Sequence, residues 1–218
     1  MIRKMLVIAA AVAMPVSVIA MTAGPAGAAS TVNATNYTVS CTGITAKATF
    51  SPALTTLGST PGVETTKIAG TASGCTVTPT LGGTAVHVKK ATISGTITNP
   101  TSSHTCTGLE TATTETGSLK VKWTTTPKLS TTTSVVKPTT VTGAVGADLH
   151  ATFAIAFGTG ATGPFQGSDG GISSTTNAET VLGGPAINAQ CATTAGLTTL
   201  GIQPNSVTNG GGPAFTVG

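Results

Sequence analysis

The sequence predicts an all-β chain, an antiparallel β-sandwich held by two disulfides, and three observations carry that expectation. Apolar and polar residues alternate with a period of two along many short runs, while the 3.6-residue period of an amphipathic helix is almost absent. Threonine supplies 48 of the 218 residues, and a β-branched side chain with a hydroxyl suits a pleated surface that has one face in water. The 28 glycines and 12 prolines punctuate the runs at the spacing of short strands joined by turns.

The chain begins with an address. Arg3 and Lys4 precede an apolar run from Met5 to Ala13, extended past Pro15 by Val16 to Met21, and small residues follow from Ala23 to Ser30. Ala26 and Ala28 offer an A-x-A site for cleavage after Ala28, and cleavage after Ala29 fits nearly as well; with the latter bound, residues 1–29 are expected to be a signal peptide and 30–218 a single exported domain. Pro15 and Ser17 break the run below the about 18–20 apolar residues that a spanning helix needs, so no transmembrane anchor is expected after cleavage. No cysteine near the cleavage region invites a lipid anchor, and Gly210 to Gly218 carries no sorting motif. The expected location is outside the cell, free or associated with the cell wall.

The strands follow in order. Ile44, Ala46, Ala48 and Phe50 alternate with Thr45, Lys47 and Thr49, and Thr66 to Ala72 lies beyond a turn around Gly58 to Gly62. Val86 and Val88 have one parity and Ala91, Ile93, Gly95 and Ile97 the other, so the slip at Lys89-Lys90 reads as a β-bulge or short turn. Leu119, Val121 and Trp123 alternate with Lys120 and Lys122, which assigns Trp123 to the core. The Thr-rich stretch from Thr124 to Thr140 reads as part of a strand pair rather than a linker, because Val135, Val136, Val141 and Val145 punctuate it and its sequel. Leu149 to Phe157 is the longest regular run, and Leu197 to Ile202 a weaker one. Turns are expected at Pro61-Gly62, Gly82-Gly83, Asn99-Pro100, Gly163-Pro164, Gly183-Gly184-Pro185 and Asn209-Gly210.

Cys41, Cys75, Cys106 and Cys191 are an even set in an exported chain, so two disulfides are expected in one of three connectivities. A hairpin between Ile44–Phe50 and Thr66–Ala72 discriminates among them. If paired positions sum to 116, Phe50 meets Thr66, Ile44 meets Ala72 and Cys41 meets Cys75, leaving Cys106 for Cys191. Simple alternation then puts both hairpin cysteines on the polar face, and Gly43 and Gly74 beside them are candidate bulge sites that restore burial.

Chemistry is sparse. Only 7% of residues are charged, against about 25% in a typical domain. Arg3 is the sole arginine, and the exported chain keeps eight lysines against six acids, so nucleic acid is not an expected partner. Five phenylalanines, one tryptophan and one tyrosine are too few for the aromatic girdles of a membrane barrel or for sugar platforms. His87, His104 and His150 form no HxH or HExxH arrangement and read as surface or ordinary sheet histidines. The cysteines have no CxxC spacing, so no metal or cofactor is expected. Gly167-Ser168-Asp169-Gly170-Gly171 transposes the protease pattern GDSGG and reads as a turn. The sequons at Asn33 and Asn36 are expected to be idle in a chain of bacterial export style. No catalytic residue is assigned. The alternative, a secreted hydrolase with a site assembled from distant residues, would draw on Asp148, His150 and Ser168.

Gly70-Thr71-Ala72-Ser73-Gly74-Cys75, Cys106-Thr107-Gly108-Leu109, Gly117 to Trp123, Gly163-Pro164-Phe165-Gln166-Gly167 and Cys191 followed by Gly196-Leu197 form an order of landmarks over most of the exported chain. In that order the chain resembles the small secreted β-rich proteins of actinobacteria. The resemblance implies a location and an architecture, and no catalytic residue. The sandwich is immunoglobulin-like only in a loose sense: Trp123 falls between Cys106 and Cys191, at a longer spacing than in that fold. The functional expectation is a non-enzymatic structural or binding role, with an extracellular or cell-wall partner.

Overall fold

The computed structural model describes residues 31–79, 83–110, 113–145, 150–157, 162–166, 175–204 and 214–218. The expected signal segment lies outside them. Three long strands come first, β1 (Tyr37–Leu54), β2 (Gly62–Pro79) and β3 (His87–Ser102). A 3-10 turn at Cys106–Glu110 leads to β4 (Thr113–Thr114) and β5 (Thr116–Thr126), separated only by Glu115. Next are β6 (Thr133–Val136) and β7 (Pro138–Val145), separated only by Lys137. β8 (His150–Phe157) and β9 (Thr175–Gly183) follow, helix α1 (Gly184–Cys191) leads into β10 (Leu197–Pro204), and β11 (Phe215–Val217) ends the chain.

These strands form one antiparallel sheet, and it closes. β1 pairs β2, β2 pairs β3, and β3 pairs β5. β5 then pairs β6 while β4 pairs β7, so the stretches 113–126 and 133–145 act as one interrupted hairpin. β7 pairs β8, β8 pairs β9, β9 pairs β10, and β10 returns to β1. β11 wedges between β1 and β9 beyond the end of β10. The opposing walls face one another across a shared apolar interior, the two-layer packing expected of a sandwich, and hydrogen bonding runs on from one wall into the other. Closure leaves no long unpaired edge among the described strands to template association.

The β1–β2 register is the one expected. Its pairs run from Tyr37 opposite Pro79 to Ser51 opposite Thr65, with Cys41 opposite Cys75 and Ile44 opposite Ala72. Cys41 is buried and Cys75 half-buried, and this is achieved without a register shift at the expected bulge sites. Buried positions in β1 are odd up to Cys41 and even from Ile44 onward, so the strand changes face at Thr42-Gly43. Gly74 opposite has φ +60, and a Cβ there would lie 2.3 Å from the Thr42 hydroxyl oxygen, so the matched kink needs glycine. The slip at Lys89-Lys90 is a β-bulge, with the β3–β5 register shifting between Val88 and Lys90. Cysteines 41 and 75 are bonded to each other, as are 106 and 191.

Other expectations need correction. Asn99-Pro100 is not a turn but part of β3, which runs on to Ser102. Beyond Thr98 the described pairing of β3 is to β2 alone, so a proline without an N–H fits at this half-edge. Gly183-Gly184-Pro185 starts a helix: Gly183 is the N-cap, and proline stands in the first turn, where its missing N–H costs nothing. Eight residues are too few for a helical period to stand out, and only Ile187 and Cys191 are buried. β9 has no counterpart among the expected strands. Asn209-Gly210 lies outside the described residues.

One end of the interior is densely filled. Trp123 (2% exposed) meets Phe165 edge-on at 4.9 Å between ring centroids, a favoured aromatic geometry. The indole N–H donates to Ser134 Oγ at 2.9 Å, and that hydroxyl donates to the Pro164 carbonyl at 2.6 Å. Phe165 is fixed through its backbone N–H, which donates to the Ala34 carbonyl at 2.8 Å. Leu129, Val136 and Val39 complete this packing, all fully buried. Thr45, Lys47, Lys67, Lys120 and Lys122 point outward and are exposed, so these walls present a polar surface to the surroundings.

Candidate functional site

The other end is hollow. A cavity of about 540 Å³ lies inside the barrel, within the roughly 300–1,000 Å³ of small-molecule sites. Its wall is built from inward positions of successive strands: Ile44, Ala46, Ala48 and Phe50 on β1, Ile68 on β2, Ile93 and Ile97 on β3. Leu119, Val141, Ala178, Leu200, Ile202 and Phe215 carry it around the barrel. Small side chains leave the space, and glycines draw the strands together. A Cβ on Gly70 would sit 2.4 Å from that of Ala46, and one on Gly95 would sit 2.2 Å from the Ser118 carbonyl oxygen, so both positions tolerate hydrogen alone.

A cross-linked cover lies over this end. The Thr55 N–H donates to the His104 carbonyl at 2.9 Å, the Cys106 N–H to the Thr55 carbonyl at 3.2 Å, and the Thr56 N–H to the Cys191 carbonyl at 3.2 Å. The Cys106–Cys191 bond ties the 3-10 turn to α1 in the same place. Gly108 and Leu109 of that turn, with Ser103 and Thr105, face the cavity beneath it.

Beneath the cover the lining turns polar. Glu64 shares the inward parity of Thr66 and Ile68, and Glu115 shares that of Thr113 and Leu119. Ser102 Oγ donates a short hydrogen bond to Glu64 Oε2, and Thr66 Oγ1 donates to Oε1 at 3.4 Å. Thr113 Oγ1 donates to Glu115 Oε1 at 2.7 Å. Burial pushes the Glu115 carboxyl above its ordinary value, the Thr113 hydroxyl pulls it back, and the Glu64 charge raises it further. No lysine, arginine or histidine is among the described residues lining the cavity.

The chain matches no protein-family model, and no curated protein or solved structure matches it. The site therefore stands on its geometry.

Of the hydrolase trio, Asp148 and Ser168 lie outside the described residues. His150 is half-buried on β8, with Nδ1 2.5 Å from the Thr180 carbonyl oxygen. His87 is exposed, whereas His104 is neither a surface nor a sheet histidine. It is 5% exposed, in the connection between β3 and the 3-10 turn at φ +54, with Nδ1 2.6 Å from Ser59 Oγ. That serine–histidine contact spans 45 residues and is invisible in the sequence. Among the described residues no third group orients the ring, and His104 Nε2 is buried without a hydrogen-bond partner. Among the described residues no three histidine, cysteine or acidic side chains are placed to hold a metal ion, and no helix is long and apolar enough to cross a membrane.

Proposed function

We propose that this chain is an exported, non-enzymatic binding protein whose barrel interior takes one small, largely apolar molecule. The observation that carries the reading is the cavity of about 540 Å³, walled by aliphatic side chains and polar at one end only. A void of that size leaves wall atoms without partners on one side, a packing deficit that an occupant removes. Export is supported by the charged, apolar and small-residue order of residues 1–29 and by two disulfides, which persist in oxidising compartments. The polar outer surface fits a protein that works in water or against the cell wall.

The test uses protein recovered from the culture medium and a neutral fluorescent probe, N-phenyl-1-naphthylamine. Saturable fluorescence enhancement at one probe per chain is expected, with loss of binding in Ala48→Phe, which fills the cavity from β1. A folded chain that binds no probe refutes the reading, as does an Ala48→Phe chain that binds as well as the parent.

A further inference from the structure

The cavity's two ends differ in what they can bond, and this determines the chemistry of an occupant. Along the barrel the wall offers only aliphatic and aromatic carbon: Ile93, Ile97, Leu200, Ile202 and Phe215 have no polar side-chain atoms. Under the cover stand two carboxylates and several hydroxyls. Two hydroxyls are donated to Glu64 and one to Glu115, whereas an ionised carboxylate has about four acceptor positions. Accepting capacity is left over at the polar end.

Charge points the same way. Glu64 and Glu115 act on each other as like charges, and no cationic side chain is among the described lining residues to offset them. An anionic head placed there would meet like charge without a counter-ion. A neutral hydroxyl would satisfy one acceptor and leave the repulsion in place. An ammonium head supplies three donors and a positive charge at once, and hydrogen bonds between ionised partners are the stronger kind.

We infer that the occupant is a cationic amphiphile, its ammonium head held by Glu64 and Glu115 beneath the cover and its apolar tail lying along the barrel between Ile93, Leu200 and Phe215. This rests on the reading of the cavity as a binding site and adds the ligand's class and direction.

The experiment displaces bound N-phenyl-1-naphthylamine with dodecylamine, dodecanol and dodecanoate at neutral pH, all below micelle-forming concentrations. Dodecylamine is expected to displace the probe at concentrations about tenfold lower than the other two, the size of one charge-assisted contact. The double variant Glu64→Gln, Glu115→Gln keeps the side-chain shapes and is expected to lose the preference for the amine, read as the ratio of the three displacing concentrations within that variant, so that any change in its probe affinity cancels. Equal displacement by all three, or tighter binding of dodecanoate, overturns the inference and leaves the binding function standing. A preference for the amine that survives in the double variant also overturns it. Failure of the probe itself overturns the reading underneath.

Discussion

The two ends of the barrel are made from the same strands and reach opposite outcomes. At the filled end Tyr37, Trp123 and Phe165 occupy the interior, and their polar atoms are provided for. Trp123 bonds Ser134, and the Tyr37 hydroxyl donates to the Thr84 carbonyl at 3.0 Å. At the hollow end the inward positions of the same β1 carry Ala46 and Ala48, and those of β2 end in Thr66 and Glu64. Interiors are normally packed to crystal density with few voids larger than a water. The filled end meets that rule; at the other end a second buried cluster, with Phe50, Leu54, Ile187, Leu197 and Leu200 around the Cys106–Cys191 bond, packs beside a cavity that departs from it. Stability and the proposed binding thus fall to different ends, and changes at each should separate them.

The largest expected effects come from the disulfides. Cys41–Cys75 closes a separation of 34 residues and Cys106–Cys191 one of 85, for which the chain-entropy model gives about 3.8 and about 4.6 kcal/mol. Denaturant titration of Cys41→Ala/Cys75→Ala and of Cys106→Ala/Cys191→Ala should give losses of this order and in this ranking. Their effects on binding should differ. Untying the cover should speed probe release in stopped-flow, whereas cutting the bond between β1 and β2 should leave release unchanged. Equal acceleration in both variants would break the division between ends.

Truncating an aromatic at each end comes next. Trp123→Ala should cost about 3–5 kcal/mol, because it removes a fully packed side chain and the indole donor to Ser134 Oγ, which keeps only its bond to the Pro164 carbonyl. Phe50 is also buried but faces the cavity, so Phe50→Ala forfeits fewer contacts and should cost less than Trp123→Ala in the same titration. A larger loss at Phe50 would mean that the hollow end is packed more tightly than its lining implies.

The legibility of these features in the sequence depended on how local they are. The β1–β2 register followed from alternation on two neighbouring runs, and the bulge beside Lys90 from one parity slip. Closure did not follow, because β10 meets β1 across about 150 residues and nothing in Leu197 to Ile202 names its partner. Alternation also identifies which residues point inward but not how completely they fill the space. That is why alternation alone does not reveal the cavity. A signal for the site was present: Glu64 lies in parity with Ile68, and Glu115 with Leu119, so each carboxylate sits on the apolar face of its strand. Acids on the inward parity are costly unless they are bonded or used.

The smallest effect bears most directly on that pair. Glu115 has its folded-state value raised, first by burial and further by Glu64, against the lowering bond from Thr113. A raised carboxyl favours the protonated folded state. Its contribution is fully present below the ordinary glutamate value and is lost as pH rises through the higher folded value, so the empty protein at neutral pH holds a half-buried charge at a cost. Glu115→Gln keeps an acceptor for Thr113 and removes that charge. The variant's melting temperature should therefore exceed the parent's at pH 7, by less than about 3 °C because solvent screens a half-exposed group, and the difference should vanish at pH 4. With dodecylamine present the order should reverse at pH 7, since the parent then gains an ion pair that the variant cannot form. A Glu115→Gln chain less stable than the parent when empty would show that the carboxylate supports the fold rather than waiting for a ligand.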